Sequence, residues 1–186
     1  QKWEYVPLGP FLGKSFASSL SPWLVTLDAL RDFALESDKK DLEELPHLKC
    51  NKKGLFDIKL DVYLQSQKMQ EPFKISSTNY KHMYWNLFQQ LSHMSSNGTP
   101  IGVGDLYGSG TISGSNENSY GSMLELCWKG TKPLSLPDGS KRTFIEDGDT
   151  VIFHGYCEKN GVRVGFGEVR GTVLLAQEQE QQSRSP

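Results

Sequence analysis

No run of apolar residues in this 186-residue sequence approaches the ~20 that a membrane-spanning helix requires. Neither sign of charge dominates: 20 basic residues stand against 22 acidic ones, interspersed, for a net charge of -2. That balance leaves no footprint for nucleic acid or a membrane surface, so neither is expected as a partner. Cysteine is scarce. Cys50, Cys127 and Cys157 are an odd number at wide spacings, with no Cys-x-x-Cys and no zinc pattern. Such usage fits a reducing compartment, and a cytoplasmic location is the expectation. An initiating methionine and a basic-then-apolar leader are also missing. Gln1 opens the chain in mid-sequence, which suggests a fragment or a processed product. The sequence shows no internal repeat, no legible nucleophile–base pair and no carboxylate cluster at metal spacing.

What is present suffices for one globular domain. Hydrophobic and charged fractions of 37% and 23% exclude a disordered chain, and the length supports a single core. The opening stretch, Gln1 to Leu20, is irregular and apolar at once. Pro7, Gly9, Pro10 and Gly13 break both periodicities, while Trp3, Tyr5, Val6, Leu8, Phe11, Leu12 and Phe16 supply large apolar groups. Such a segment reads as packed loop, and packed loops tend to carry function. Gln1, Tyr5, Lys14 and Ser18 are the polar groups along it. Lys14 has two readings: an ammonium held among aromatics, costly without a partner, or a side chain reaching solvent from a surface arm.

Trp23 to Leu27 reads as a short buried strand, and Asp28 as the cap of a helical turn through Ala29, Leu30 and Phe33. Glu36 to Asn51 reads as a long exposed connection bearing His47. Phe56 to Leu64 alternates strictly, which predicts one strand with one wet face. Phe73 to Ser76 is its hairpin partner across a polar turn at Gln65 to Gln70. The stripe Tyr80, Met83, Tyr84, Leu87, Phe88, Leu91 and Met94 predicts a single amphipathic helix facing the core. Ser77, Thr78 or Asn79 caps it and Asn97-Gly98 stops it. His82 and His93, eleven residues apart, are not a metal pair. Strands are predicted over Val151–Tyr156 and Val162–Phe166, joined by a turn at Lys159-Asn160-Gly161, with further turns at Asp138-Gly139 and Asp147-Gly148. Val169 to Leu175 ends the fold. Residues 176–186, rich in Gln, Glu and Ser, are expected to be a disordered polar tail.

Between these elements lies a glycine-dense segment, Ile101 to Gly121. Its centre, Gly108-Ser109-Gly110-Thr111-Ile112-Ser113-Gly114, misses the G-x-G-x-x-G spacing by one residue and lacks the lysine of a phosphate loop. Nucleotide binding is thereby excluded. Two uses of the glycines stay open: close approach of backbone N–H groups to a ligand, with Thr111 and Ser109 as donors, or turn chemistry. Met123 to Trp128 reads as an apolar strand, and Cys127 and Cys157 as small core residues. Glu125 on that strand is either a buried carboxylate in need of a partner or an acid on a wet edge.

Several segments resemble the fumarylacetoacetate hydrolase (fumarylacetoacetase) family. They are the run Gln1 to Phe16, Lys81-His82-Met83-Tyr84-Trp85 with Gln89-Gln90-Leu91, Gly110-Thr111-Ile112-Ser113-Gly114, Gly121-Ser122-Met123-Leu124-Glu125-Leu126 and Val164-Gly165-Phe166-Gly167. Thr111-Ile112-Ser113 departs from the Thr-Pro-x-Gly of smaller relatives, the acylpyruvases and oxaloacetate decarboxylases. The resemblance covers residues 1–175, read as the C-terminal portion of a catalytic domain. It implies a mixed α/β, strand-rich fold, the family's mixed β-sandwich roll, incomplete in this chain, and a homodimer. It also implies hydrolysis of a carbon–carbon bond in a β-diketo acid: 4-fumarylacetoacetate plus water gives fumarate and acetoacetate, the last step of tyrosine and phenylalanine degradation.

By the same resemblance Lys14 and Gln1 stabilise the leaving carbanion, Tyr5 and Thr111 contact substrate, and Glu125 orients a water-activating histidine. Lys14 and Ser18 lie near a magnesium ion, with calcium as a further cofactor. A protonated lysine has no lone pair, so Lys14 stands behind the ligands rather than among them. Ala17-Ser18 replaces the family's Gly-Thr but keeps a hydroxyl. The carboxylate ligands and the histidine are expected upstream of Gln1, and His47, His82, His93 and His154 do not match that histidine. The chain alone is therefore expected to be inactive; the alternatives are a non-catalytic or partner-binding short homologue, or a related acylpyruvase or oxaloacetate decarboxylase.

Overall fold

The structure, a computed structural model, describes residues 17–37 and 40–176. The strands are β1 (Ala34–Leu35), β2 (Leu55–Phe56), β3 (Lys59–Gln65), β4 (Phe73–Asn79), β5 (Leu134–Ser135), β6 (Lys141–Arg142), β7 (Thr150–Lys159) and β8 (Val162–Thr172). The helices are α1 (Leu87–Ser95) and the one-turn α2 (Met123–Leu126). Among the described residues the main sheet has four strands in the order β4-β3-β7-β8, all antiparallel. Two further sheets have two strands each, β1-β2 and β5-β6. This strand-rich, mixed architecture is the one expected, and no described helix is long and apolar enough to cross a membrane.

The alternating stretch Phe56 to Leu64 is two strands rather than one. At Asp57 and Ile58 the chain changes partners: Asp57 N–H donates to Phe33, and the Ile58 carbonyl accepts from Tyr80 N–H. Phe56 thus joins Leu30, Phe33 and Cys157 in a core cluster, flanked by Ile58, Leu87, Val164 and Phe166. The expected wet face is also corrected. β3 lies between β4 and β7, and Asp61 is only 7% exposed. Burial raises its pKa, but hydrogen bonds from the Ser77 hydroxyl (2.6 Å) and the Lys74 ammonium (2.9 Å) outweigh that and hold it below the ordinary carboxylate value.

The β3-β4 and β7-β8 hairpins form where turn chemistry placed them. In the second, Lys159 pairs with Val162, so Asn160-Gly161 is a two-residue loop, and both residues have positive φ (52° and 79°). Asn-Gly tolerates that geometry at little cost. Cys157 is buried on β7, and desolvation, helped by the charge of Asp57, pushes its thiol up to about 11. It is an inert core group, as expected.

Three other expectations fail. Trp23–Leu27 forms no strand, and Trp23 and Leu24 are 69% and 97% exposed. Only Val25 reaches the core, while the indole lies against Gly167, where a side chain would collide with it. Asp28 caps no helix; its carboxylate pairs with Arg31, and the turn Arg31–Phe33 starts from Leu30. Tyr80–Met94 is not one helix. A single turn at Tyr80–His82 is capped by Asn79, and α1 begins afresh after Asn86. Asn86 and Gln89 close a capping box, which makes a new start more favourable than continuation. Tyr84 and Trp85, in the break, face the Lys40 ammonium at 4.6 and 4.3 Å instead of the core. Leu91 and Met94 are exposed too, so most of the stripe is not core.

Candidate functional site

Met123–Trp128 is the expectation whose failure matters for chemistry. It is no strand: Ser122 caps the single turn of α2, accepting from Glu125 N–H at 3.3 Å. The turn ends through Trp128 and Lys129, both in the left-handed region at φ 47° and 56°. The pattern Ser-x-x-Glu is a helix-start signal, and it outweighs the β character of the apolar residues. Glu125 is therefore placed in the first turn of a helix, where a negative charge is favoured.

Glu125 is neither a lone buried acid nor a solvated one. The Ser122 hydroxyl donates to its Oε2 at 2.8 Å. The Ser113 hydroxyl lies 2.9 Å from both Oε1 and Oε2. Ser113 Oγ in turn accepts Gly121 N–H at 3.0 Å. One carboxylate, two hydroxyls and one backbone amide thus form a closed cluster that joins the glycine-rich loop to α2.

The loop carrying Thr111 is pressed onto this cluster. A Cβ added at Gly121 would stand 2.4 Å from the Ile112 carbonyl oxygen and 2.8 Å from the Thr111 methyl carbon. Behind it, Gly114 N–H donates to Ser119 at 2.9 Å, and the Ser76 hydroxyl of β4 donates to the Tyr120 carbonyl at 2.7 Å. The imidazole of His82 lies 3.2 Å from where a Gly114 Cβ would be. These contacts anchor the loop to the main sheet. Of the two uses left open for the glycines, turn chemistry is seen at Gly104, which at φ 97° lies in the Gly102–Asp105 turn; the close approach at Gly121 is to the protein's own backbone.

Next to Thr111, Ile112 lines an apolar cleft of about 240 Å³ together with Ser21, Leu60, Tyr80, Phe153 and Phe166. Burial holds the Tyr80 phenol above its ordinary pKa, partly offset by a hydrogen bond from Gln90. Ser21 reaches the cleft because its hydroxyl donates to the Phe166 carbonyl at 2.6 Å. Ser18 is exposed on the same segment, which runs along β8 near Gly167 and Gly171.

Of the residues singled out from sequence, Thr111 and Glu125 are brought into one unit. Ser18 lies outside their hydrogen-bonded cluster. Gln1, Tyr5 and Lys14, and the tail beyond Ala176, lie outside the described residues. Of the histidines, His154 pairs with Glu168 at 2.9 Å across β7 and β8. That bond, with one from Arg170, holds the Glu168 carboxyl below its usual value. Ser113 and Ser122 had no role in the sequence reading, although Ser-x-x-Glu marks one of them.

Among the described residues no group of three or more His, Cys, Asp or Glu side chains could hold a metal ion. Ser18 offers one hydroxyl, whereas a hard divalent cation takes about six or more oxygens. The described residues therefore do not fit a Mg2+ or Ca2+ site by themselves.

Comparison with known proteins agrees with this architecture. The sequence model described as "Fumarylacetoacetate (FAA) hydrolase C-terminal" matches residues 1–174. A fumarylacetoacetase of Homo sapiens is 52% identical over 176 residues, 95% of this chain and 42% of that protein. One of Dictyostelium discoideum is 50% identical over 97% of this chain and 43% of its own length. One of Arabidopsis thaliana is 48% identical over 94% of this chain and 41% of its own length. The chain thus spans less than half the length of the curated relatives it matches.

Proposed function

The chain belongs to the fumarylacetoacetate hydrolase family, and from that premise we propose that residues 1–175 form the C-terminal portion of a fumarylacetoacetase-type active site. The substrate is a β-diketo acid of the 4-fumarylacetoacetate kind. Water adds to one carbonyl, the adjacent carbon–carbon bond breaks, and its electron pair goes to the departing enolate. That enolate takes a proton to become acetoacetate, and the carboxylate formed is fumarate. The observation that carries this reading is the Glu125 cluster, built from two of the quoted motifs and joined to Thr111.

In this reaction Glu125 is a positioning group. Its carboxylate accepts an N–H from the histidine that activates water, which fixes the ring and stabilises its protonated form. Thr111, the residue before Ile112 of the cleft, offers a hydroxyl to the substrate. Lys14 and Gln1 take by sequence match the task of stabilising negative charge on the leaving carbon's oxygen, and Tyr5 that of contacting substrate. A Mg2+ or Ca2+ ion would polarise the diketone oxygens when bound. The hydroxyl of Ser18 is the contribution that the described residues offer it; the carboxylates are assigned to other parts of a protein of the relatives' length. A homodimer and a cytoplasmic location belong to the same proposal.

The test is product analysis. A protein of the relatives' length that contains this sequence, given 4-fumarylacetoacetate, releases fumarate and acetoacetate in equal amounts. Release of neither product, from a folded protein supplied with divalent metal, refutes the proposal.

A further inference from the structure

We propose that Ser113 is the positioning residue that locks the Glu125 carboxylate and the Thr111 loop into one unit, an inference that rests on the role given to Glu125 above. A serine hydroxyl has one proton and accepts through its lone pairs. Gly121 N–H occupies an accepting side of Ser113 Oγ at 3.0 Å. The proton is thereby turned toward Glu125, where Oε1 and Oε2 lie equally near at 2.9 Å. Ser122 gives its proton to Oε2 alone. Oε2 therefore carries the heavier load, and Oε1 keeps the accepting capacity that an imidazole N–H requires.

Ser113 reaches both ends of the site. It is two residues from Thr111 in sequence, and its hydrogen bond to Gly121 holds the loop at the point where Ile112 lies on that glycine. Removing the hydroxyl frees the carboxylate to rotate and the loop to lift. Ser122 does part of the same work, but it also caps α2, so its loss mixes positioning with unwinding. Ser113 lies outside any helix and separates the two effects.

The experiment uses a protein of the relatives' length containing this sequence, with 4-fumarylacetoacetate as substrate. The variants are S113A, S113T, E125A and the double variant S113A/E125A, with melting curves as a check on folding. S113A lowers kcat about 10-fold with KM within about twofold, and S113T recovers most of the loss. In the E125A background, S113A costs less than about twofold more, because the group it positions is gone. If S113A does not fold, S113C carries the test, with a weaker donor of similar size and an intermediate loss of kcat. Full activity of S113A or S113C beside a disabled E125A overturns the role of Ser113 and leaves that of Glu125 standing. Multiplicative losses in the double variant overturn it as well. An E125A variant as active as the parent removes the role of Glu125 and this inference with it.

Discussion

Alanine at Gly121 puts a methyl carbon 2.4 Å from the Ile112 carbonyl oxygen, 2.9 Å from its carbonyl carbon and 2.8 Å from the Thr111 methyl. Two of those atoms are backbone, so no rotamer change relieves the clash. Ordinary tight contacts begin between 3.0 and 3.4 Å, so the loop has to retreat by about 0.6–1.0 Å. The Ser113–Gly121 hydrogen bond, now 3.0 Å, then exceeds bonding distance. Overpacking of this kind costs roughly 1–3 kcal/mol, and the lost bond adds about 1 kcal/mol. Because Thr111 moves with the loop, turnover falls as well, by up to about 10²-fold for a displacement near 1 Å. Two other glycines of the segment supply the comparison. A Cβ at Gly108 meets nothing within 4 Å at an ordinary φ, so G108A is neutral or slightly stabilising. Gly110 has equal space but a φ of +77°, so G110A costs about 1 kcal/mol from backbone strain alone. Urea unfolding of the three variants orders them G108A, G110A, G121A by increasing loss. A G121A protein as stable as the parent refutes the close approach on which the site is built.

Two further predictions concern the scaffold. Asp149, fully buried, holds Arg142 with two hydrogen bonds of 2.7 and 2.9 Å and accepts Glu146 N–H. Asp149→Ala leaves the buried guanidinium with only the more exposed Glu146 carboxylate, 3.4 Å away, and lowers stability by roughly 3 kcal/mol; a loss below 1 kcal/mol by urea unfolding contradicts the pairing. Asp61 and Glu168 are held below ordinary carboxylate values, and hydrogen bonds from Ser140 and Ser66 hold Asp138 at about 2. A depressed carboxylate contributes stability in full above its unfolded pKa, roughly 4, and loses it as pH falls through the lower folded value. Urea midpoints therefore hold above about pH 5 and decline below pH 4. Asp61→Asn flattens that decline, and an unchanged profile removes Asp61 from it.

The hairpins are legible because local chemistry decides them: alternation for β3, the polar turn at Gln65 to Gln70, and Asn160-Gly161 for the last turn. The errors fall where one local signal beat another. Met123 to Cys127 looks like a strand by composition, yet Ser122 and Glu125 start a helix there. Tyr80 to Met94 has helical periodicity throughout, yet Asn86 and Gln89 restart it. Asp61 looked solvated because alternation marks a face without telling what covers it; its partners Lys74 and Ser77 come from the neighbouring strand. Of the site, the residues themselves mark Thr111 as a hydroxyl donor and Glu125 as an acid that is either buried with a partner or on a wet edge; the resemblance alone gives them their roles. Their connection through Ser113 was not readable, since a hydroxyl twelve residues from a carboxylate meets it only once the loop is folded back.

The most direct measurement is the steady-state turnover of 4-fumarylacetoacetate by Glu125→Gln in a protein of the relatives' length. The side chain keeps its shape and an accepting oxygen but loses the charge that steadies a protonated imidazole. The expected result is a fall in kcat of about 10²-fold with KM within about threefold. An unchanged kcat would show that the acid clasped by Ser113 and Ser122 has no part in breaking the carbon–carbon bond.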